Sequence, residues 1–572
     1  VQRRLRDIEG VTVLVYDQVC AAEKRRRRKR GVLPALRRRA FINELVCEGC
    51  GDCSAVSNCI SIEPVDTELG RKRIVNQSSC NADLSCIKGF CPSFVTVEGA
   101  TPRRGVPAAR GEALLAGLPR PALPPPGRGY NLLLAGIGGT GVVTVAAILA
   151  QAAHLDGSGV LVLDQTGLAQ KNGAVLSHIR IGEAPGSLSS ARISVGEADL
   201  ILGFDMVTAA GAGPLSTAAP ARTRAVVDRH LHPTAAFVRD NGIDFREEAM
   251  LRAIRRAAAA GADFVDATRW IAALTGDAVL SNMMLLGYAW QKGLVPVSLE
   301  ALLRALEING TAVEANKQAF AWGRLATHDR KGLEACLGAD AAAPAPQSLD
   351  DIVARRADYL AGYQDAAYAA RYRDLVALCR AAEIARAPGR SGFPEAVAIA
   401  AFKLMAYKDE YEVARLYAGR DFAAKLDAAF EGKPKIRFHF AAPLLSRPDP
   451  RTGAPRKIGF GPWMLQVLRM LARLKRLRGT PFDPFGRTAE RRFERRLIED
   501  YAALVTRLAG ELDPNGHALA VALARLPSEI RGFGHVKLAS VKAFEARQTE
   551  LLSRHAAPAP SARPAAAAAG RG

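Results

Sequence analysis

Cysteines impose the strongest constraint on this 572-residue chain, because seven of its ten lie between Cys47 and Cys91. So dense a group at short spacings indicates a metal site in a reducing compartment rather than a disulfide framework, so we expect a cytoplasmic protein. Two residues separate Cys47 from Cys50, and two separate Cys50 from Cys53. Three thiolates at this spacing suit one iron–sulfur cubane, whereas zinc sites usually use two separated Cys-x2-Cys pairs. We therefore predict an iron–sulfur module over residues 40–100.

The other cysteines leave the number of clusters open. In two-cluster ferredoxins, the cysteine that precedes a proline binds the other cluster, and Pro92 follows Cys91 here. By that logic four cysteines form the ligand set of one [4Fe–4S] cluster: Cys47, Cys50, Cys53 and Cys91. Three remain for a second cluster, one thiolate short of a full set: Cys59, Cys80 and Cys86. The alternative is a zinc ribbon with spare thiols. We expect the isolated cysteines to be buried apolar residues: Cys20, Cys336 and Cys379.

From Tyr130 onward, short apolar runs alternate with helical stretches, which predicts an α/β domain with a largely parallel sheet over residues 130–335. The predicted strands span residues 131–136, 160–164, 176–181, 199–204 and 224–227. Four glycines fit the pattern G-x-G-x-x-G between a strand and a helix: Gly136, Gly138, Gly139 and Gly141. That context favours dinucleotide binding, with Asp164 as the ribose partner. The glycines would equally permit a tight turn and close helix packing.

A polar, glycine-punctuated loop follows Asp164, and α/β folds place ligand or partner contacts on such loops. The residues we select there are Gln165, Gln170, Lys171 and Asn172. Prolines predict a stiff linker over residues 101–129, and a second linker spans residues 339–347. A helical domain is predicted over residues 351–555, with its best helix at Glu395–Leu416. The Ala/Pro-rich tail, residues 556–572, is predicted to be disordered.

The chain carries 78 Lys and Arg against 57 Asp and Glu, a net charge of +21. Part of the excess is the unbroken cationic run Lys24–Arg30, which suits either a solvated surface or a polyphosphate or nucleic-acid site. A nucleic-acid-binding iron–sulfur protein is therefore one alternative. The apolar run Val11–Asp17 predicts a buried strand. Leu132–Ala153 lacks acids, Lys and Arg, but its glycines favour a strand, a turn and a helix, so we expect no membrane span.

Several long stretches of the chain together resemble the fused, single-chain indolepyruvate ferredoxin oxidoreductases. These belong to the 2-oxoacid:ferredoxin oxidoreductase family. The resemblance covers nearly the whole chain and rests on CEGCGDCSAVSNC, SSCNADLSCIKGFCP, GIGGTGVVT, DQTGLAQKNGAVLSHIRI, EINGTAVEANKQAFAWGR and FKLMAYKDEYEVARL.

The resemblance implies a multidomain α/β protein. Residues 1–39 would end a thiamine diphosphate-binding domain, followed by a ferredoxin-like iron–sulfur module, a γ-type Rossmann-like α/β domain and a helical C-terminal domain. The implied enzyme oxidatively decarboxylates aryl-pyruvates such as indolepyruvate to acyl-CoA, using thiamine diphosphate, Mg²⁺ and CoA, and passes electrons to ferredoxin. We expect it to be a homo-oligomer.

In this family the diphosphate-binding motif, GDG followed by Asn, would lie upstream of Val1. We therefore expect this chain to be the carboxy-terminal half, inactive without the upstream thiamine diphosphate domains. The γ-type domain of the family is not a classical NAD site. That weakens the dinucleotide interpretation of the glycine loop. The other alternative, which rests on that loop and Asp164, is a NAD(P)- or flavin-linked iron–sulfur reductase.

Overall fold

The computed structural model describes residues 1–29, 31–34, 36–59, 61–103, 114–115, 117–127, 129–167, 173–231, 243–337, 348–441 and 455–556. Several predictions fall outside these residues: the roles of Gln170, Lys171 and Asn172, parts of the linker at 101–129, the linker at 339–347 and the tail from 557. In the described part, no helix is long and apolar enough to cross a membrane.

The strands of the described residues form three sheets. The four-stranded sheet contains β1 (Arg38–Ile42), β4 (Phe94–Pro102), β11 (Phe430–Phe440) and β12 (Ile458–Phe460). The hairpin contains β2 (Ile62–Thr67) and β3 (Gly70–Val75). The six-stranded sheet contains β5 (Tyr130–Ile137), β6 (Gly159–Thr166), β7 (Ala174–Gly182), β8 (Leu200–Gly203), β9 (Arg224–Asp228) and β10 (Gly261–Val265).

Helices fill most of the remainder. Those before residue 130 are Gln2–Arg6, Ala21–Lys29 and Asp52–Ser57. Those around the six-stranded sheet are Val142–Leu155, Met206–Ala209, Ala212–Ser216, Glu247–Ala257, Ala267–Thr275, Ser281–Gln291, Leu299–Asn309, Val313–His328 and Arg330–Leu337. Those of the C-terminal region are Leu349–Tyr363, Ala366–Arg386, Phe393–Met405, Glu410–Ala418, Arg420–Ala429, Met464–Arg473, Ala489–Glu511, His517–Arg525 and Gly534–Ala556.

The predicted strand at Val11–Asp17 is absent, and this segment has no regular secondary structure. Val11 is 97% exposed and Val15 is 80% exposed. No strand of the described residues pairs with the segment, and all of its residues are exposed. Cys20, three residues after this segment, is exposed and not buried as expected, whereas Cys336 and Cys379 are buried.

The six-stranded sheet is mixed rather than largely parallel. Its order is β10-β9-β8-β5-β7-β6, with β5, β8, β9 and β10 parallel and β7 antiparallel to both of its neighbours. The five predicted strands match β5 to β9 in position, and β10 was missed. Strand β5 is buried along almost its whole length, as expected for a central strand covered on both faces. The chain is therefore a multidomain α/β protein with a mixed central sheet and many helices.

Two glycines bring the helices Ser281–Gln291 and Val313–His328 into close contact. A Cβ atom on Gly287 would lie 2.0 Å from the carbonyl oxygen of Phe320, and one on Gly323 would lie 1.9 Å from that of Met284. The backbone of each helix therefore occupies the space that a side chain in place of the other helix's glycine would need. The contact lies within the largest apolar core, which also includes Trp290.

We expect Gly287→Ala to destabilise this core by about 1–3 kcal/mol or more, because the helices must separate to admit the methyl group. The matched control is Gly510→Ala, near the end of the helix Ala489–Glu511, where a Cβ meets nothing within 4 Å. That change should be neutral or stabilising by up to about 1 kcal/mol. Urea unfolding of both variants measures the difference. Equal midpoints would show that the two helices are not in close contact.

The C-terminal region also contributes β11 and β12, which the prediction of a helical domain did not include. Strand β11 pairs antiparallel with β4, and β12 pairs with β11. The predicted helix Glu395–Leu416 is two helices, separated at residues 406–409. Asp409 caps the second helix by accepting a hydrogen bond from the backbone N–H of Glu412 at 2.8 Å. An N-cap residue adopts non-helical backbone angles, which explains the break.

Candidate metal centre

The cysteine-bearing segment, residues 47–91, contains the short helix Asp52–Ser57 and the hairpin β2–β3. Within the segment, Cys47, Cys53, Cys86 and Cys91 are buried. Gly49 lies between the first two cysteines with φ of +66°, and a Cβ there would lie 2.1 Å from the carbonyl oxygen of Arg71 in β3. Only glycine fits this close approach, which fixes the loop between Cys47 and Cys50 against the hairpin.

Mutual electrostatic interactions divide the seven thiols into two groups. Cys50 and Cys53 both interact with Cys47 and Cys91, which defines the first group. In the second group, Cys80 and Cys86 both interact with Cys59. These are the two sets suggested by the sequence spacing. Metal ligation by them remains a prediction.

Burial determines the protonation of these thiols. It raises the pKa of Cys91 to about 11 and that of Cys86 to about 12, and neighbouring thiols add to the effect in both cases. Burial likewise raises the pKa of Cys53 well above its usual range. At neutral pH such thiols hold their protons unless a cation displaces them. Metal binding supplies that cation and releases the protons.

Among the described residues, no three His, Cys, Asp or Glu side chains form a group suited to one metal ion. An iron–sulfur cubane makes a different demand, because its four thiolates bind its irons separately and do not converge on one point. Whether the first group fits a cubane therefore depends on the chemistry of its donors and on the charges around them. Four thiols are the donor set that a [4Fe–4S] cluster uses, and three of the four in this group are buried.

Cations surround the first group. The guanidinium of Arg73 is buried and interacts electrostatically with Cys53 and Cys47. The Nζ atom of Lys72 donates to the carbonyl oxygen of Cys47 at 2.9 Å. Lys408, from the C-terminal region, donates to the same oxygen at 3.2 Å. The charge of Arg73 offsets part of the negative charge of four thiolates. The two lysines hold the loop that carries Cys47, although burial lowers the pKa of Lys72 to about 7 and Lys408 is paired with Glu48. The first group therefore fits the cluster.

Several sulfur atoms have polar neighbours of their own. The backbone N–H of Gly49 donates to Cys47 Sγ at 3.3 Å, and Cys91 Sγ lies 2.9 Å from Ser93 Oγ. In the second group, the N–H of Ala82 donates to Cys80 Sγ at 3.4 Å. Hydrogen bonds of this kind stabilise the thiolate form of a ligand. These hydrogen bonds could not be predicted from the sequence, because they depend on loop geometry.

The cationic run contacts the loop that carries Cys80. Arg25 donates to the carbonyl oxygen of Ser79 at 2.9 Å, and Arg28 donates to that of Asn81 at 3.3 Å. Part of the run is therefore used in holding the second group of thiols. This contact favours the structural interpretation of these two arginines over a nucleic-acid site.

The C-terminal region is joined to the cysteine-bearing segment by side chains as well as by the sheet. Tyr417 donates its hydroxyl hydrogen to the carbonyl oxygen of Pro92 at 2.7 Å. Asn43 donates to the carbonyl oxygen of Leu416 at 3.2 Å, and Lys408 forms an ion pair with Glu48 at 2.5 Å. The two regions therefore form one packed unit around the first group of thiols.

His439 in β11 belongs to this joint, and its Nε2 atom lies 3.0 Å from Thr96 Oγ1 in β4. Burial lowers the pKa of His439 from 6.5 to about 4, and Lys457 adds to the effect. The folded chain therefore keeps the ring neutral, while the unfolded chain takes up a proton below pH 6.5. The contribution of His439 to stability is complete above pH 6.5 and is lost as the pH falls to about 4.

We expect His439→Gln to reduce the acid sensitivity of folding in that window. Denaturant unfolding at pH 7 and pH 5 should show a smaller loss of stability in the variant than in the unsubstituted chain. The same loss in both chains would show that this ring is not held neutral in the folded state.

The glycine loop serves turn formation and packing. A Cβ on Gly136 would lie 2.8 Å from Thr140 Oγ1, and one on Gly141 would lie 2.3 Å from the amide nitrogen of Asn282. Gly139 has φ of +101° with open space around it, so the turn itself requires glycine there. The N–H of Gly138 donates to the carbonyl oxygen of Gly173 at 2.8 Å. Side chains of the same domain thus pack directly against the loop.

Asp164 does not occupy the position of a ribose-binding acid. Its strand, β6, is the edge strand, and the antiparallel β7 separates it from β5, which puts the two strands roughly 10 Å apart. In a dinucleotide fold, the corresponding strand lies directly beside the first. Asp164 instead accepts a 2.5 Å hydrogen bond from Ser177 Oγ. Gln165 lies in the same strand and is exposed. The predicted dinucleotide geometry is wrong.

Comparison with known proteins gives matches over separate parts of the chain. Residues 131–326 match the family described as pyruvate ferredoxin/flavodoxin oxidoreductase, and residues 349–550 match a family of unknown function. The indolepyruvate oxidoreductase subunit IorB of Methanothermobacter thermautotrophicus is 39% identical over 85 residues, which are 15% of this chain and 41% of that protein. The Thermococcus kodakarensis subunit of the same name is 38% identical over 80 residues, 14% and 38% of the respective chains. The chain thus spans about two fifths of the length of these relatives.

Among solved structures, the pyruvate oxidoreductase subunit PORC of Thermotoga maritima is 20% identical. The match covers 34% of this chain and 95% of that one, with a TM-score of 0.25. The γ subunit of a keto/oxoacid ferredoxin oxidoreductase from Geobacter sulfurreducens is 19% identical, over 35% and 98% of the respective chains, with a TM-score of 0.25.

Proposed function

We infer that this chain, whose residues 131–326 belong to the pyruvate ferredoxin/flavodoxin oxidoreductase family, is the electron-transfer part of a 2-oxoacid:ferredoxin oxidoreductase. The observation that carries the proposal is the group of four mutually interacting, largely buried thiols from Cys47, Cys50, Cys53 and Cys91. The family domain supports the oxidation of a 2-oxoacid, and the group of thiols supports the transfer of the electrons.

These four cysteines would hold a [4Fe–4S] cluster, which accepts and passes on electrons one at a time. The surrounding residues of the chain prepare the site for that group. Lys72 and Lys408 fix the loop that carries Cys47 from two sides, and Arg73 adds positive charge. Cys47, Cys53 and Cys91 are buried, which limits the access of water to their sulfur atoms.

The second group has three thiols: Cys59, Cys80 and Cys86. The carboxylate of Asp83 acts electrostatically on both Cys80 and Cys86, but it accepts hydrogen bonds from Ser85 at 2.9 and 3.1 Å. We therefore propose one [4Fe–4S] cluster, bound by the first group. The iron count described below tests whether the second group also binds a cluster.

Similarity to the indolepyruvate oxidoreductase subunits supports an aryl-pyruvate such as indolepyruvate as the substrate. In the complete enzyme, the oxidation would use CoA and thiamine diphosphate with Mg²⁺, and ferredoxin would take the electrons. The GDG motif of a thiamine diphosphate site does not occur in the 572 residues. That chemistry would therefore belong to a partner domain.

The reductase alternative would need a dinucleotide or flavin at the glycine loop. The packing of Asn282 on Gly141 and the position of Asp164 give it no support. The nucleic-acid alternative loses part of its basis because Arg25 and Arg28 bind backbone carbonyl groups of the loop around Cys80.

Anaerobic purification of the chain tests the proposal. We expect brown protein with about four irons and four sulfides for each cluster it holds. An iron count near eight would mean that the second group is loaded as well. Stoichiometric zinc without acid-labile sulfide would contradict the proposal and identify a zinc site.

A further inference from the structure

A lysine of the C-terminal region contacts the chain on both sides of Cys91, at Ile87 and at Phe94. Lys457 directly precedes β12, the strand that pairs with β11. Strand β11 pairs in turn with β4, which begins at Phe94, three residues after Cys91. The shared sheet therefore places a lysine of the C-terminal region, which matches a family of unknown function, near the cysteines. The resemblance and the family matches assign no role to it.

The ammonium of Lys457 is fixed by two contacts. Its Nζ atom donates to the carbonyl oxygen of Ile87 at 3.0 Å and lies 5.5 Å from the centre of the Phe94 ring. Ile87 follows Cys86 directly in the chain. This hydrogen bond connects the C-terminal region to the segment between Cys86 and Cys91.

The charges that act on Lys457 come from both groups of thiols. Burial lowers the pKa of Lys457, whereas Cys91 and Cys53 of the first group and Cys86 of the second, in their thiolate forms, act in the opposite direction. Asp52 also favours the charge, and Asp52 accepts a hydrogen bond from the N–H of Phe90 at 2.6 Å. Since the surroundings are poor in water, an ion there interacts more strongly with its neighbours than it would at the surface.

We propose that Lys457 is a positioning residue that raises the reduction potential of the iron–sulfur cluster held by Cys47, Cys50, Cys53 and Cys91. The proposal rests on the proposed function. An added electron makes the cluster more negative, and a fixed positive charge nearby favours the reduced form over the oxidised form. The step is the gain of one electron, taken in the assay from dithionite through dye mediators. No bond forms or breaks, and Lys457 keeps its proton.

The experiment compares three variants of the full chain, purified anaerobically. Lys457→Gln removes the charge and keeps a hydrogen-bond donor. Lys457→Arg keeps the charge. Lys433→Gln removes an exposed lysine from β11 and serves as the matched control. Iron and sulfide are counted first, and the midpoint potential is then measured by a dye-mediated titration followed by electron paramagnetic resonance.

We expect all three variants to keep their iron. In Lys457→Gln the equilibrium for one-electron reduction should fall about tenfold or more, which is a shift of about 59 mV to more negative potential. The Arg variant and the Lys433→Gln control should stay close to the unsubstituted chain.

An unshifted potential in Lys457→Gln with full iron would overturn this proposal and leave the proposed function standing. Loss of iron in Lys457→Gln but not in Lys457→Arg would also overturn it, because the lysine would then serve cluster assembly. Absence of iron and sulfide from the unsubstituted chain would overturn the proposed function itself.

Discussion

Replacing Cys91 with serine is expected to remove about four irons and four sulfides from the chain, which is the whole content of one cubane. Cys91 is buried, and its thiol interacts with those of Cys47, Cys50 and Cys53 although it lies far from them in sequence. A serine hydroxyl is a poor thiolate substitute, so the first group would be left with three ligands. Iron and sulfide analysis after anaerobic purification measures the effect.

Two further variants locate the effect. Cys379→Ser is the control, because Cys379 is buried in the helical core of the C-terminal region and should leave the iron count unchanged. Cys59→Ser tests the second group and should not reduce the iron held by the first. The assignment fails if Cys91→Ser keeps its full iron while Cys59→Ser loses it.

Asp409→Asn is expected to destabilise the C-terminal region by about 3–5 kcal/mol, because it leaves a buried guanidinium without its counter-charge. Arg478 makes two hydrogen bonds to the Asp409 carboxylate, at 2.6 and 2.9 Å, and a third to the carbonyl oxygen of Tyr363 at 2.7 Å. Its guanidinium carbon lies 3.7 Å from the centre of the Tyr363 ring. The side chains of Arg478 and Asp409 are only 3% and 4% exposed, so water cannot replace the lost partner.

The matched control is the exposed ion pair of Arg371 and Glu499, whose side chains are 52% and 65% exposed. Glu499→Gln should cost no more than about 1 kcal/mol. For a region of this size, the Asp409 change corresponds to a fall of roughly 6–20 °C in melting temperature. Calorimetry of both variants, with hydrogen exchange at the helix Glu410–Ala418, measures it. A fall no larger than that of Glu499→Gln would contradict the assigned energy.

The sequence was informative wherever local pattern determines structure. Apolar runs between turns located β5 to β9. The pattern is clearest in β5 and β8, which are buried along nearly their whole length. It failed on β11, whose polar residues and Pro434 show little strand pattern and which forms only because β4 supplies a partner. It also joined two helices across residues 406–409, because the break depends on Asp409 and its distant partner Arg478.

In the candidate site, too, local pattern could be predicted and contacts between distant parts of the chain could not. Cysteine spacing suggested two sets of thiols, and the electrostatic contacts of Cys53 and Cys86 form the same two sets. Lys408 and Lys457 could not be selected from the sequence, because lysine is common and only the fold brings these two to the cysteines. The glycine loop led to a wrong prediction of dinucleotide geometry. Its motif is local, but dinucleotide binding also depends on which strand lies beside β5.

Strand β4 must wait for its partner β11, because β11 is synthesised much later. Thr96 and His439 meet across this sheet and are 343 residues apart in sequence. At a translation rate of about 5–20 residues per second, the cysteines leave the ribosome roughly 20 to 70 s before the strand that covers them. During that interval the nascent thiols are open to oxygen and to competing metal ions. Insertion of iron and sulfide would therefore fall either within this window, while access is easy, or after release, when the C-terminal region must open to admit them.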